Sequence, residues 1–253
     1  TVVDVATLDL LDPDVRDQIC SEAMTLLLER SNDPSWQRNR TIVRFAHQFI
    51  RNVKDDIHKT ITDTRTVEEG YDGLDRARDT DEEVATAIRC CPEVLTRIDE
   101  RFPTGVLPIH CVPFMIGNDT KIVCNVKAVA FVPLFAKLAI EFESFEFQER
   151  GGLLCEDHQG LNVLKCLMNS SDSSFDDQHQ QHADTTFLAV LIRLQQAGLF
   201  TNDDIQKYEL VHFVCIHAGV LFSVHRFRFL TECCPSALLD IDNDVFGYVP
   251  LQW

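Results

Sequence analysis

The sequence predicts an all-α fold, an α-solenoid in which short helix-turn-helix pairs stack one after another, and three observations predict it. Helix start signals recur: Asp12-Pro13, Asp33-Pro34 and Thr80 with Glu83 each place a capping residue ahead of an apolar stripe at helical spacing. Gly is only 10 of 253 residues, which disfavours dinucleotide binders and turn-dense sandwiches. One block of sequence occurs twice, near residue 90 and again near residue 233.

Taken in order, residues 1–62 read as an N-terminal helix pair. After Asp12-Pro13, Ile19, Ala23, Leu26 and Leu27 share one face; after Asp33-Pro34, Ile42, Ala46, Phe49, Ile50, Val53 and Ile57 draw a stripe on a longer helix. Residues 63–80 are charged, carry Gly70 and Gly73, and read as a connection. Thr80 and Glu83 form a capping box that opens a short helix with Val84, Ala87, Ile88 and Cys91 on one side. Repeats fill 81–253, interrupted by a polar insert at 169–184, after which Thr185–Leu199 resumes the helical pattern. Strand-like alternation is confined to Phe142–Phe147, too short to change the class.

The duplication is the most informative feature. Cys90-Cys91-Pro92-Glu93-Val94-Leu95 is echoed by Cys233-Cys234-Pro235-Ser236-Ala237-Leu238, with Asp99 and Asp242 following. Gly105-Val106-Leu107-Pro108-Ile109-His110 is then echoed by Gly247-Tyr248-Val249-Pro250-Leu251-Gln252. Weaker echoes lie between, at Asp157–Leu164 and Tyr208–His212, so the copies are unevenly spaced. A helix ends at Cys-Cys-Pro because Pro cannot continue it and pushes its predecessor out of the α region. Asp and Gly then make a tight turn, and Pro108 or Pro250 restarts a helix in its first turn. Such a pair cannot bury its apolar face alone, so neighbours must stack.

Gly105, Leu107, Pro108, Ile109 and His110 resemble the ankyrin repeat, whose signature is a Gly-x-Thr-Pro-Leu-His helix start, with Leu107 where Thr is usual. The last copy keeps Gly247, Pro250 and Leu251 but carries Gln252 for His, and the middle copies lack the Pro. Phe131–Ala136 and Arg150–Asp157 add a resemblance to a divergent ankyrin-like family of unicellular algae, covering roughly 80–253. The resemblance implies a helical solenoid used for protein binding, with Cys91, Pro92, Asp99, Gly105, Pro108, His110, Cys234, Pro235, Asp242, Gly247 and Pro250 as its structural motif residues. It implies no chemistry.

Residues that could carry chemistry are few. Asp240-Ile241-Asp242-Asn243-Asp244 opens like a calcium loop, but Val245 replaces the sixth-position Gly and Leu251 the twelfth-position Glu. Cys155 with His158 and Cys166, or Cys215 with His217, are the candidate zinc ligands; neither set forms a paired CxxC. Glu141, Glu143, Glu146 and Glu149 read as a solvated face. No nucleophile elbow, Walker A, HExxH or GxGxxG occurs, so no catalytic residue and no cofactor is expected.

The ten cysteines sit largely among apolar residues and read as buried thiols, which favours a reducing intracellular compartment. No apolar run reaches bilayer length, and no signal peptide is visible. The abrupt ends suggest a fragment of a longer chain. With 40 Asp+Glu against 23 Lys+Arg, the net charge is −17, which argues against nucleic acid and favours a protein partner with a basic surface. The expected function is a non-catalytic protein–protein interaction scaffold or adaptor. The alternatives are a structural subunit of a larger assembly, or a metal-dependent enzyme or regulator on a helical scaffold.

Overall fold

The structure, a computed structural model, describes residues 40–65, 70–99, 106–116, 122–157, 159–169, 177–216 and 222–239. These residues are mostly helical. The chain runs α1 (Arg40–Ile61), α2 (Asp81–Cys90), α3 (Pro108–Cys111), strands β1 (Phe114–Ile116) and β2 (Ile122–Cys124), then α4 (Val132–Glu141). It continues through α5 (Val163–Cys166), α6 (Asp177–Gln196), α7 (Asn202–Lys207), α8 (Leu210–Ile216) and α9 (Val224–Cys233).

The helices form two ranks. In the first, α1 packs on α3, α3 on α5 and α5 on α8; in the second, α2 packs on α4, α4 on α6 and α6 on α9. Across the ranks, α3 packs on α4 and α8 on α9, and α7 packs on α8. One long side chain reaches further: Arg193 on α6 donates to the Ala130 carbonyl at 2.8 Å and touches Asp81 at the start of α2 at 3.5 Å. The core runs continuously through both ranks, from Ile50 and Ile88 through Val129, Phe135, Leu164 and Phe187 to Leu230 and Ala237.

Local chemistry explains the element ends. Thr80 accepts from the Glu83 N–H while the Glu83 carboxylate accepts from the Thr80 N–H, the capping box expected from the sequence. Cys91 and Cys234, each preceding a proline, take nearly the same non-helical geometry, φ −143° and ψ 67° against φ −140° and ψ 79°. Each leads into a four-residue 3-10 helix, Pro92–Leu95 and Pro235–Leu238. Thr96 (φ −105°, ψ −5°) and Leu239 (φ −102°, ψ −6°) end these alike. The two Cys-Cys-Pro blocks share one local structure.

Three details differ from the sequence expectation. α6 begins at Asp177, so the polar stretch 177–184 is its first two turns rather than part of a loop. A two-stranded antiparallel hairpin pairs Phe114 with Cys124 and Ile116 with Ile122, while Phe142–Phe147 is a turn leading into a 3-10 helix, Phe147–Glu149. Phe142 and Phe145 face the core three residues apart, and Phe147 points outward, which imitates alternation. On α1, Ile50 is buried and Val53 and Ile57 pack on the core, but Phe49 is exposed. The expected N-terminal helix at 12–30 lies outside the described residues.

Candidate functional site

The motif residues mark the joints between pairs. Cys91 and Pro92 connect α2 to its 3-10 turn, as Cys234 and Pro235 do after α9. Asp99 is buried, and its N–H donates to the Val106 carbonyl at 3.0 Å, two residues before α3 starts at Pro108. The next joint repeats this closure: the Asp157 N–H donates to the Leu161 carbonyl at 2.9 Å, two residues before α5. There the Asp157 carboxylate also accepts from the Gln159 and Leu161 N–H groups, and Gly160 supplies a φ of +73° that costs a side-chain-bearing residue energy. Asn162, rather than a proline, opens α5 by accepting from the Lys165 N–H at 2.9 Å. Gly105, Asp242, Gly247 and Pro250 lie outside the described residues.

His110 is 2% exposed and ties one pair to the next. Its Nε2 lies 2.9 Å from the Cys155 carbonyl, which can only accept, so Nε2 carries the proton. Nδ1 then has no hydrogen-bond partner among the described residues. Burial pulls the imidazole below the ordinary histidine range, against the opposing pull of the Cys155 carbonyl and Asp157. His58 on α1 makes the same kind of link one joint earlier, to the Arg97 carbonyl at 3.0 Å.

The strongest polar junction was not anticipated. Arg226 on α9 is 1% exposed. Its Nε donates to Asp184 of α6 at 2.8 Å, and one terminal nitrogen donates to the Leu167 and Asn169 carbonyls at 2.6 and 2.8 Å. The other terminal nitrogen bonds the Ser223 hydroxyl, and the guanidinium stands over the Phe187 ring. Asp184 also accepts from the backbone N–H groups of His225 and Arg226, at 2.8 and 3.3 Å. It caps α9 from a neighbouring helix, where Ser223 makes no side-chain cap bond of its own. Residues 42 apart carry no pairing signal in sequence, and Asp184 sits in the stretch that read as a polar insert.

Among the described residues the chemistry candidates do not converge. The Cys155 thiol is pushed up to about 12 by burial and by the Glu149 carboxylate it bonds. Burial alone takes Cys215 to about 11, and burial with the nearby Asp157 charge pushes the enclosed Cys166 thiol up as well. Each is held as a thiol, the form that neither attacks nor ligates. His158 and His217, like the calcium-like run 240–244, lie outside the described residues. Among the described residues no three His, Cys, Asp or Glu side chains group as metal ligands, and no helix is long and apolar enough to cross a membrane. A cleft of about 200 Å³ lies between α6 and the start of α9, lined by Gln180, Gln181, Phe222 and His225, but Asp184 at its floor is committed to capping and to Arg226.

Of the carboxylates read as a solvated face, Glu141 pairs with Arg89 at 3.2 Å, and Glu146 and Glu149 close a capping box over the 3-10 helix at Phe147. Exposed apolar side chains stand at the turns after three of the second-rank helices, Ile98 after α2, Phe147 after α4 and Leu239 after α9, whereas Leu199 and Phe200 after α6 are buried. No family model matches the chain, and no match to it is found among the curated proteins or the solved structures.

Proposed function

We propose that the chain is a non-catalytic protein-interaction module, a solenoid of degenerate ankyrin-like helix pairs whose turns present a recognition surface. The observation that carries this reading is the two-rank stack, in which helix pairs pack on their chain neighbours and the two Cys-Cys-Pro joints share one geometry. Added support comes from the buried histidines, His58 and His110, which spend their hydrogen bonds on the next joint rather than on a cleft. The thiols are likewise protonated and packed. The acidic surface, −17 overall, favours a partner with a basic face by speeding encounter and fixing register.

The test is reconstitution. Proteins retained by the tagged chain from a source lysate are purified, and binding is measured by calorimetry with both components in hand. A one-to-one complex with a micromolar or tighter Kd is expected. If no purified candidate rebinds, or if the purified chain turns over a substrate, the reading is wrong.

A further inference from the structure

Phe147 is 97% exposed, yet its turn is tightly built. Glu146 and Glu149 cap the 3-10 helix reciprocally, with the Glu146 N–H donating to Glu149 at 2.7 Å. The Glu149 carbonyl accepts from both Gly152 and Leu154 N–H groups, at 3.0 and 3.2 Å. Phe142 and Phe145 anchor the turn by packing on the core, and Arg150 fastens its far side by donating to the Leu199 carbonyl and to buried Asp204. The ring is therefore presented by a fixed scaffold. Ile140, on the last turn of α4, is also exposed, and the Glu143 N–H folds back to its carbonyl at 3.1 Å.

Carboxylates flank the Phe147 turn on both sides. Glu141 is neutralised by Arg89, but no described cation forms an ion pair with Glu143, Glu146 or Glu149. A second copy of an acidic chain would bring like charges together here, which opposes self-association through this face. We infer that Phe147 forms an anchor for a protein partner whose apolar pocket or side chain is flanked by Lys and Arg. This inference rests on the interaction-module reading and names its surface and partner chemistry. A rigid, preformed aromatic loses little conformational freedom on docking, which suits it to the centre of an interface. Glu143, Glu146 and Glu149, whose negative charges no described cation pairs, supply the rim that selects a basic partner.

The probe is a random peptide library displayed on phage, selected on the full chain, with the enriched peptides then synthesised. Peptides carrying Lys or Arg on both sides of an apolar residue are expected. Phe147→Ala weakens them by about tenfold or more, Glu143→Gln reduces the salt dependence, and Leu239→Ala leaves affinity unchanged. Melting temperatures of the three variants match the parent, because each altered side chain is exposed. Enriched peptides without basic residues, or binding that survives Phe147→Ala, overturn the anchor while leaving the module reading intact. Dimerisation that Phe147→Ala abolishes overturns the basic-partner assignment. A selection that enriches no peptide counts against the module reading itself.

Discussion

Removing the Asp184 carboxylate tests the packing argument where it is sharpest. In Asp184→Ala the guanidinium of Arg226 stays buried on α9, still held by the Leu167 and Asn169 carbonyls, but without its counter-charge. Breaking a buried pair by deleting one partner costs about 3–5 kcal/mol. The His225 and Arg226 N–H groups also lose their cap, worth about 1 kcal/mol more. For a chain of this size a loss of about 4–6 kcal/mol lowers Tm by roughly 8–24 °C. Guanidinium unfolding followed by circular dichroism measures the loss, and hydrogen exchange localises it to α6 and α9. Replacing both partners, Asp184→Ala with Arg226→Met, removes the orphaned charge, so the double variant is more stable than Asp184→Ala alone and the cycle returns a coupling of about 2–3 kcal/mol. A cost under about 1 kcal/mol, or a coupling near zero, would show that the pair is solvated and that the α6–α9 junction rests on apolar packing alone.

Three further outcomes follow from single sites. Gly151 has φ +67°, and a Cβ there would sit 2.2 Å from the Ala136 carbonyl oxygen, backbone that cannot swing aside; Gly151→Ala destabilises by about 3 kcal/mol, read by thermal melting, and an unchanged Tm refutes the close approach. Raising Cys155 from 9 to about 12, three units, cuts its thiolate fraction about a thousandfold, so iodoacetamide labels it far more slowly in the folded chain than in denaturant, as peptide mass spectrometry reports. His110 has a folded pKa below its unfolded value of 6.5, so its contribution is present above pH 6.5 and is lost as pH falls from there toward the depressed folded value. His110→Gln removes that titration, and its Tm falls less between pH 7.5 and pH 5.5 than the parent's; parallel pH profiles would refute the burial.

Much of the architecture is legible in sequence because its signals are local. Pro92 and Pro235 force the residue before them out of the helix whatever surrounds them, so the two blocks fold alike. Thr80 and Glu83 satisfy each other's backbone within one turn, which fixes the start of α2 without reference to the rest of the chain. His110 lies on α3, but its partner, the Cys155 carbonyl, is 45 residues away and had no signature. The start of α6 was missed for a related reason. Asp177–Asp184 has little apolar content, and Asp184 is held in the helix by its bonds to α9. The Phe142–Phe147 alternation misled because spacing of two and three residues is indistinguishable over so short a run.

By itself, then, the sequence determined that the class is mostly helical, where α2 starts and stops, and that the Cys-Cys-Pro joint recurs. Those features depend on steric limits and hydrogen bonds closed within a few residues. Only the tertiary structure decided which polar groups are buried together and which apolar groups are left outside. Arg226 meets Asp184, and Phe147 stands in solvent while Phe145, two residues before it, packs inward. These outcomes depend on how neighbouring helix pairs come together, and contact between residues distant in the chain leaves no periodic trace in either partner's local sequence.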